Sequence, residues 1–156
     1  MFIGEQPGDV EDRKGKPFVG PARKLLDQAL IDAGISRPDC YFTNAVKHFK
    51  WEPRGKRRIH KKPSPREGAA CRPWLEAELG LVKPAIIVCL GATAAAAVMG
   101  PAIRVLRDRG KLLPSPLAKS ILVTIHPSAM LRMPDRELAK KEYQRFVRDL
   151  TVAALA

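Results

Sequence analysis

Short apolar runs recur along the chain at lengths typical of buried strands. Runs rich in β-branched and aromatic residues occupy 40–46, 85–91 and 120–125, and residues 1–4 resemble the end of a further strand. Between these runs the apolar residues change to helical spacing. This pattern predicts helices over 21–34, from 65 to about 79, over 91–100 and from about 134 to 155.

Several of the predicted helix ends carry capping residues. Gly34 is a plausible C-cap, and Ser64 to Glu67 form a capping box with Pro65 at the first helical position. The last predicted helix should turn four apolar side chains inward: Leu138, Phe146, Val147 and Leu150. Residues 4–20 and 47–63 are expected to be loops, the first rich in Gly and Pro and the second strongly basic.

Strands that alternate with helices predict an α/β fold of three layers, with a mostly parallel central sheet covered by helices on both faces. In such sheets ligands bind beyond the carboxyl ends of the strands. Four segments leave strands in this chain, and they read GEQPG, TNAVKH, LGATA and IHPSA. We therefore expect a site where these four segments meet.

Composition fits one compact domain spanning residues 1–156 and favours a polyanionic partner. Hydrophobic residues make up 46% of the 156, enough for a core, and the formal net charge is +12. No apolar run approaches the ~18 residues of a membrane span, so no membrane partner is expected. The three cysteines occur in no CxxC and cannot all pair with one another, which favours a reducing cytoplasm.

Polar residues at the strand ends are the candidates for chemistry. Glu5 and Asp9 lie in an acidic turn, where Glu5 can orient a nucleophile or stabilise a cation and Asp9 is a candidate for substrate binding, although solvated acidic loops are common. Asn44 offers a donor and an acceptor suited to the edge of a pyrimidine, or it simply caps a turn. His126 can donate to an oxygen that gains negative charge, with Ser128 close by, or it is a structural histidine.

The segment GKRRIHKKP, residues 55–63, places His60 among five cations. Lys56, Arg57 and Arg58 suit phosphate binding, because Phe49 and Trp51 are interleaved with the basic residues as in grooves that bind single strands. Such a run can also be merely a solvated surface. The cations disfavour protonation of His60, so its imidazole can attack an electrophile, or it is one more phosphate contact.

His48 and Cys71 form a possible pair of metal ligands. Their spacing is too wide for a self-contained zinc motif, and two ligands do not make a site.

Seven motifs in order give the chain a resemblance to a known family: GEQPGDVED, GKPFVGPA, TNAVKHFK, KRRIH, CRPWL, LGATA and HPSAMLR. Together they resemble the UdgX group of the uracil-DNA glycosylase superfamily, which is close to the family 4 iron–sulfur enzymes. The match covers nearly the whole chain. TNAVKH and KRRIH are the motifs most specific to the UdgX group.

The resemblance implies a uracil-excising enzyme acting on DNA, mainly single-stranded, as a monomer. Glu5 and Gln6 would lie beside the sugar and base, and Phe18 would stack on the flipped uracil. Asn44 would read the polar edge of the uracil, and His126 would bind a uracil oxygen. His60 matches the histidine that becomes covalently attached to the sugar in this group.

The same resemblance implies residues that contact the DNA and residues that bind a cofactor. Arg132 would hold phosphates, and Leu131 would fill the gap left by the flipped base. His48 and Cys71 would be two of the four ligands of a four-iron, four-sulfur cluster. The family carries a CxxC before its first motif, and this chain does not contain that CxxC.

Two other functions stay open on the sequence. One is a multiple-turnover family 4 glycosylase in which His60 only contacts phosphate. The other is a nucleic-acid-binding module without catalysis, which would bind with strong salt dependence and no preference for uracil. A nucleotide-binding protein is disfavoured because GxGxxG and GxxxxGK[ST] are both missing.

Overall fold

The computed structural model describes all 156 residues. The elements follow along the chain as β1 (Phe2–Gly4), α1 (Asp9–Lys14), α2 (Ala22–Asp32), β2 (Phe42–Asn44), β3 (Trp51–Arg54), β4 (Arg57–His60), α3 (Pro65–Val82), β5 (Ile86–Leu90), α4 (Ala92–Met99), α5 (Val105–Asp108), β6 (Leu112–Leu113), β7 (Ser120–Thr124), α6 (Pro127–Leu131) and α7 (Arg136–Ala154), with a short 3-10 turn at Arg37–Asp39. The helices and strands alternate over most of the chain.

The central sheet has five strands in the order β2-β1-β5-β7-β6. The first four are parallel to one another, and only the two-residue β6 runs antiparallel, against β7. The predicted fold class, α/β with a mostly parallel sheet, is therefore confirmed. The carboxyl ends of the four parallel strands therefore lie along a single edge of the sheet.

Apolar side chains cover both faces of the sheet. In β5, Val88 and Leu90 belong to one buried cluster, whereas Ile87 and Cys89 belong to the other, as the two-residue period of a strand requires. The first cluster is completed by apolar residues of α2 and α7, and the second by residues of α3 and α4. Helices on both faces fix the sheet and the segments that leave it.

The capping box at the start of α3 is present. Ser64 Oγ accepts from the Glu67 N–H at 3.3 Å, and Glu67 Oε2 accepts from the Ser64 N–H at 2.6 Å. A hydrogen bond from Lys50 and these contacts lower the pKa of the Glu67 carboxyl to about 2. Gly34 takes the left-handed conformation just after α2, with a φ of 72°, as its predicted capping role requires.

The prediction of a loop over residues 4–20 is wrong, because residues 9–14 form α1. This helix has three acidic residues in its first turn and two basic residues in its last, so its charges complement the helix dipole. Gly15, with a φ of 65°, ends it.

The prediction of a loop over residues 47–63 is also wrong, because β3 and β4 form an antiparallel hairpin that places Trp51 opposite His60. Gly55, with a φ of 59°, supplies the turn conformation that other residues rarely adopt. Leu138 is a third error, being 48% exposed. It lies in the same helical row as Glu142 and Arg145, at the edge of the buried face of α7.

Candidate active site

A cleft of about 320 Å³ opens at the carboxyl edge of the sheet. All four predicted segments contribute to it, together with the hairpin residue His60. Its lining consists of Glu5, Gln6, Gly8, Glu11, Phe18, Pro21, Ala22, Asn44, His60, Leu90, Gly91, Ala92, Thr93, His126, Ser128, Leu131 and Arg132. Most of the predicted site residues therefore meet in one cavity, although they come from widely separated parts of the chain.

Glu5 directly follows β1 and joins two other elements through its carboxylate. Oε1 lies 2.9 Å from Nε2 of His60, and Oε2 accepts a hydrogen bond from the hydroxyl of Thr93. The charged group that contacts the His60 ring is thus an anion rather than one of the neighbouring cations. In this arrangement the carboxylate can orient the imidazole and accept a proton from it.

Gln6 fastens the hairpin to the sheet. Its Nε2 donates to the carbonyls of Lys50 at 3.2 Å and Lys61 at 3.1 Å, and its Oε1 accepts from the Lys50 N–H at 3.1 Å. These two backbone positions flank β3 and β4. The residue is only 7% exposed, and its side-chain amide bonds to the hairpin backbone in this conformation, while Gln6 also lines the cleft.

Arg58 forms a second attachment of the hairpin. Its guanidinium forms ion pairs with Asp9 and, at 2.7 Å, with Asp12 of α1, and it lies over the rings of Phe49 and Trp51. Arg58 and Asp9 thus neutralise each other outside the cleft lining. In this conformation Arg58 is not available for the phosphate contact that was expected of it, and Asp9 is not available for the expected contact with substrate. Lys56 and Arg57, near the turn, are exposed and have no acidic partner.

His126 is the N-cap of α6, and its environment selects one tautomer. Nδ1 accepts from the Ser128 N–H at 3.1 Å and lies 2.7 Å from the Ser128 hydroxyl. Burial lowers the pKa of His126 to about 4, so the ring is neutral near pH 7. Because Nδ1 is an acceptor, the single ring proton sits on Nε2, where it can be donated to a substrate oxygen. Ser128 thus fixes the tautomer of the His126 ring.

Phe18 and Asn44 lie side by side in the lining of the cleft. Phe18 is 4% exposed and stacks on His126, with ring centroids 6.0 Å apart. A side chain at Gly4 would come within 2.6 Å of Asn44 Oδ1 and 2.8 Å of the Phe18 ring, so this position requires glycine. No protein group hydrogen-bonds to the Asn44 side-chain amide, which leaves both of its polar atoms for a ligand.

Leu131 and Arg132 form the rim at the end of α6. Leu131 is 50% exposed and lies in the lining of the cleft. Arg132 is exposed, and its Nη1 lies 3.4 Å from the Ser128 hydroxyl. Both residues are positioned to contact a ligand that extends out of the cavity.

The residues present do not by themselves fit an iron–sulfur cluster. Cys71 is buried, with its Sγ accepting from the Lys47 N–H at 3.3 Å, whereas the neighbouring His48 is exposed. No three His, Cys, Asp or Glu side chains come together in a way that could hold a metal ion. A four-iron cluster takes four protein ligands, and these two side chains supply at most half of that set.

Two cleft residues were missed by the sequence reasoning. Glu11 accepts from the Gly20 N–H at 2.8 Å and thereby ties α1 to the loop that contains Phe18. Thr93 contacts Glu5 from the start of α4. Nothing marked Glu11 among its acidic neighbours, but Thr93 is the one hydroxyl residue in the alanine-rich run GATAAAA.

Comparisons with known proteins agree with this architecture. The family model described as the uracil DNA glycosylase superfamily matches residues 1–151. Type-4 uracil-DNA glycosylases of Thermotoga maritima and Pyrobaculum aerophilum are 39% and 38% identical over 141 residues; the alignments cover 90% and 86% of this chain and 70% and 68% of theirs. The one of Archaeoglobus fulgidus is 34% identical over 151 residues, with 92% and 71% covered.

The fold and the cleft thus define the class of protein: it is an α/β protein with a mostly parallel sheet and a polar cleft beyond the strand ends. The chain belongs to the uracil-DNA glycosylase superfamily. Its helices include none with the length and apolar character needed to cross a membrane.

Proposed function

We propose that this protein excises uracil from DNA and then remains covalently bound, through His60, to the sugar it has exposed. This is the reaction of the UdgX type, and it makes the protein a single-turnover enzyme. The contact of 2.9 Å between His60 and Glu5 inside the cleft is the observation that supports it most directly. The names of the type-4 relatives support uracil in DNA as the substrate.

Recognition begins with a flipped base. A uracil nucleotide, most readily one in single-stranded DNA, leaves the stack and enters the cleft. Phe18 stacks on the base, and the unpaired amide of Asn44 reads its polar edge. Leu131 fills the gap in the strand, and Lys56, Arg57 and Arg132 bind the flanking phosphates.

Cleavage separates charge along the glycosidic bond. The bond between C1′ and the uracil nitrogen breaks, and its electron pair leaves with uracil. Nε2–H of neutral His126 donates to the uracil oxygen that gains negative charge, and a preorganised donor of this kind is typically worth ~3–4 kcal/mol. The Glu5 carboxylate stabilises the positive charge that develops on the sugar.

His60 then captures the sugar at C1′, the carbon from which uracil has departed. A ring nitrogen of His60 forms a bond to C1′, and the proton that the alkylated ring must lose passes to the adjacent Glu5 carboxylate. The product is a neutral histidine–sugar linkage together with released uracil. The alkylated His60 is consumed in this step, so each protein molecule acts once, as a monomer on one DNA strand.

The stoichiometry of uracil release tests this function. A tenfold excess of single-stranded uracil DNA should release one equivalent of uracil per protein and then stop. Continued release beyond one equivalent would instead support a multiple-turnover enzyme of the family 4 kind. Binding without any release of uracil would refute both and support a non-catalytic nucleic-acid-binding module.

A further inference from the structure

The hydroxyl of Thr93 reaches the catalytic centre from the start of α4. Thr93 belongs to the first turn of α4, directly after β5 and Gly91. A side chain at Gly91 would lie 3.3 Å from Cβ of His126, so this junction is pressed against the catalytic histidine. Gly91 has a φ of 92°, which lets the chain turn sharply there and present Thr93 to the cleft.

Helix formation does not explain a threonine at this position. The surrounding run is alanine, which is the best helix former, and threonine is a weaker one. Ser and Thr near a helix start usually bond to backbone N–H groups, but no side chain caps α4. The hydrogen bond that the Thr93 hydroxyl makes is to Oε2 of Glu5.

The contact divides the two oxygens of Glu5 between two partners. Thr93 holds Oε2, and Oε1 is left facing Nε2 of His60 at 2.9 Å. Without the hydroxyl, the carboxylate could rotate about its terminal bond, which is a soft torsion. The Glu5 side chain is three-quarters buried, and apart from Thr93 and His60 it has no hydrogen-bond partner that could stop that rotation.

We propose that Thr93 is a positioning residue that fixes the Glu5 carboxylate so that it aligns His60 for capture of the sugar. The inference rests on the proposed function, because it assigns a role within that reaction. Thr93 makes the one hydrogen bond of its hydroxyl with Glu5. It acts through Glu5, and its loss should change the fate of the sugar more than the recognition of uracil.

The test compares Thr93→Val with wild type, since valine keeps the branched shape and removes only the hydroxyl. Single-turnover reactions on single-stranded uracil DNA are quenched at intervals, and both free uracil and the denaturant-resistant adduct are measured. A hydrogen bond to a charged group is worth enough to predict a fall of about tenfold or more in the rate of adduct formation. The ratio of adduct to released uracil should fall as well.

Two control variants separate positioning from folding. Thr93→Ser keeps the hydroxyl and should recover most of the wild-type ratio. Thr151→Val removes a threonine hydroxyl that bonds to the Val147 carbonyl within α7, and it should leave the ratio unchanged. A variant that is merely destabilised loses adduct and uracil in equal proportion, so the ratio is insensitive to it.

A wild-type ratio in Thr93→Val, or an equal loss in Thr93→Ser, would overturn the role of Thr93 while leaving the proposed function intact. A wild-type protein that releases uracil but forms no adduct would refute the covalent step, and with it this role for Thr93. Wild type that releases no uracil would refute the proposed function as a whole.

Discussion

Arg109 is the side chain whose removal should destabilise the fold most clearly. Its guanidinium is 1% exposed; Nε lies 2.8 Å from Asp149 Oδ2 and Nη1 2.8 Å from Glu142 Oε2. The remaining nitrogen, Nη2, is also 2.8 Å from Asp149 Oδ2 but makes no hydrogen bond. Asp149 in turn accepts from the hydroxyl of Thr124, the last residue of β7, two residues before His126. This buried network therefore supports the strand end that holds the cleft.

Arg109→Leu should cost about 3–5 kcal/mol, because it leaves the buried Asp149 carboxylate without a cation and leaves Glu142 only the more distant Arg145, at 3.9 Å. Arg72→Leu is the matched control: that arginine is 68% exposed in its pair with Glu76, which is 59% exposed, and a pair so accessible is worth about 1 kcal/mol or less. Equilibrium urea unfolding followed by far-UV circular dichroism measures both.

A loss of less than about 1.5 kcal/mol in Arg109→Leu would contradict this account of the network. So would a loss in Arg72→Leu as large as that in Arg109→Leu. The slope of the transition should be the same in all three proteins, which would show that the change lies in stability and not in the compactness of either state.

Three further predictions concern the cleft and the hairpin. Burial lowers the pKa of His126 to about 4, whereas a histidine in the unfolded chain titrates near ~6.5. The folded state therefore loses stability as the pH falls between these two values, by about 2 kcal/mol at pH 5. Urea unfolding at pH 7 and pH 5 should show this loss in wild type and not in His126→Gln. Lys56→Ala with Arg57→Ala should reduce the slope of log K against log salt for single-stranded DNA by about 1–2, and an unchanged slope would remove both from the phosphate contacts. Arg58→Met should leave the salt slope nearly unchanged but slow adduct formation, because it releases the hairpin from Asp9 and Asp12; a salt slope lowered by about 1 would instead make Arg58 a phosphate contact.

The strands and the meeting point of their ends could be predicted from the sequence, because both follow from local patterns and general topology. Apolar runs mark β5 and β7 directly, and parallel strands must share one carboxyl edge. The sequence therefore predicts that Glu5, Asn44 and His126 lie close together, and all three line the cleft. The capping box at Ser64 was predictable for the same reason, since its residues are neighbours in the chain.

The hairpin could not be predicted, because long-range contacts stabilise it. Its strands contain Pro53 and several cations, and neither has the alternation of a half-buried strand. The attachments come from Gln6 and from Asp9 and Asp12, about fifty residues away in sequence. The hydrogen bonds of the Gln6 amide could not be predicted either, since nothing local shows which polar group a buried amide will meet.

The most direct test of the central claim is a denaturing gel of the protein incubated with uracil-containing single-stranded DNA. Thymine-containing DNA of the same sequence and His60→Ser protein run beside it. The account predicts a slowly migrating protein–DNA band only for wild type with uracil DNA. A band of equal intensity with His60→Ser, or no band for wild type when uracil is nevertheless released, would contradict covalent capture by His60.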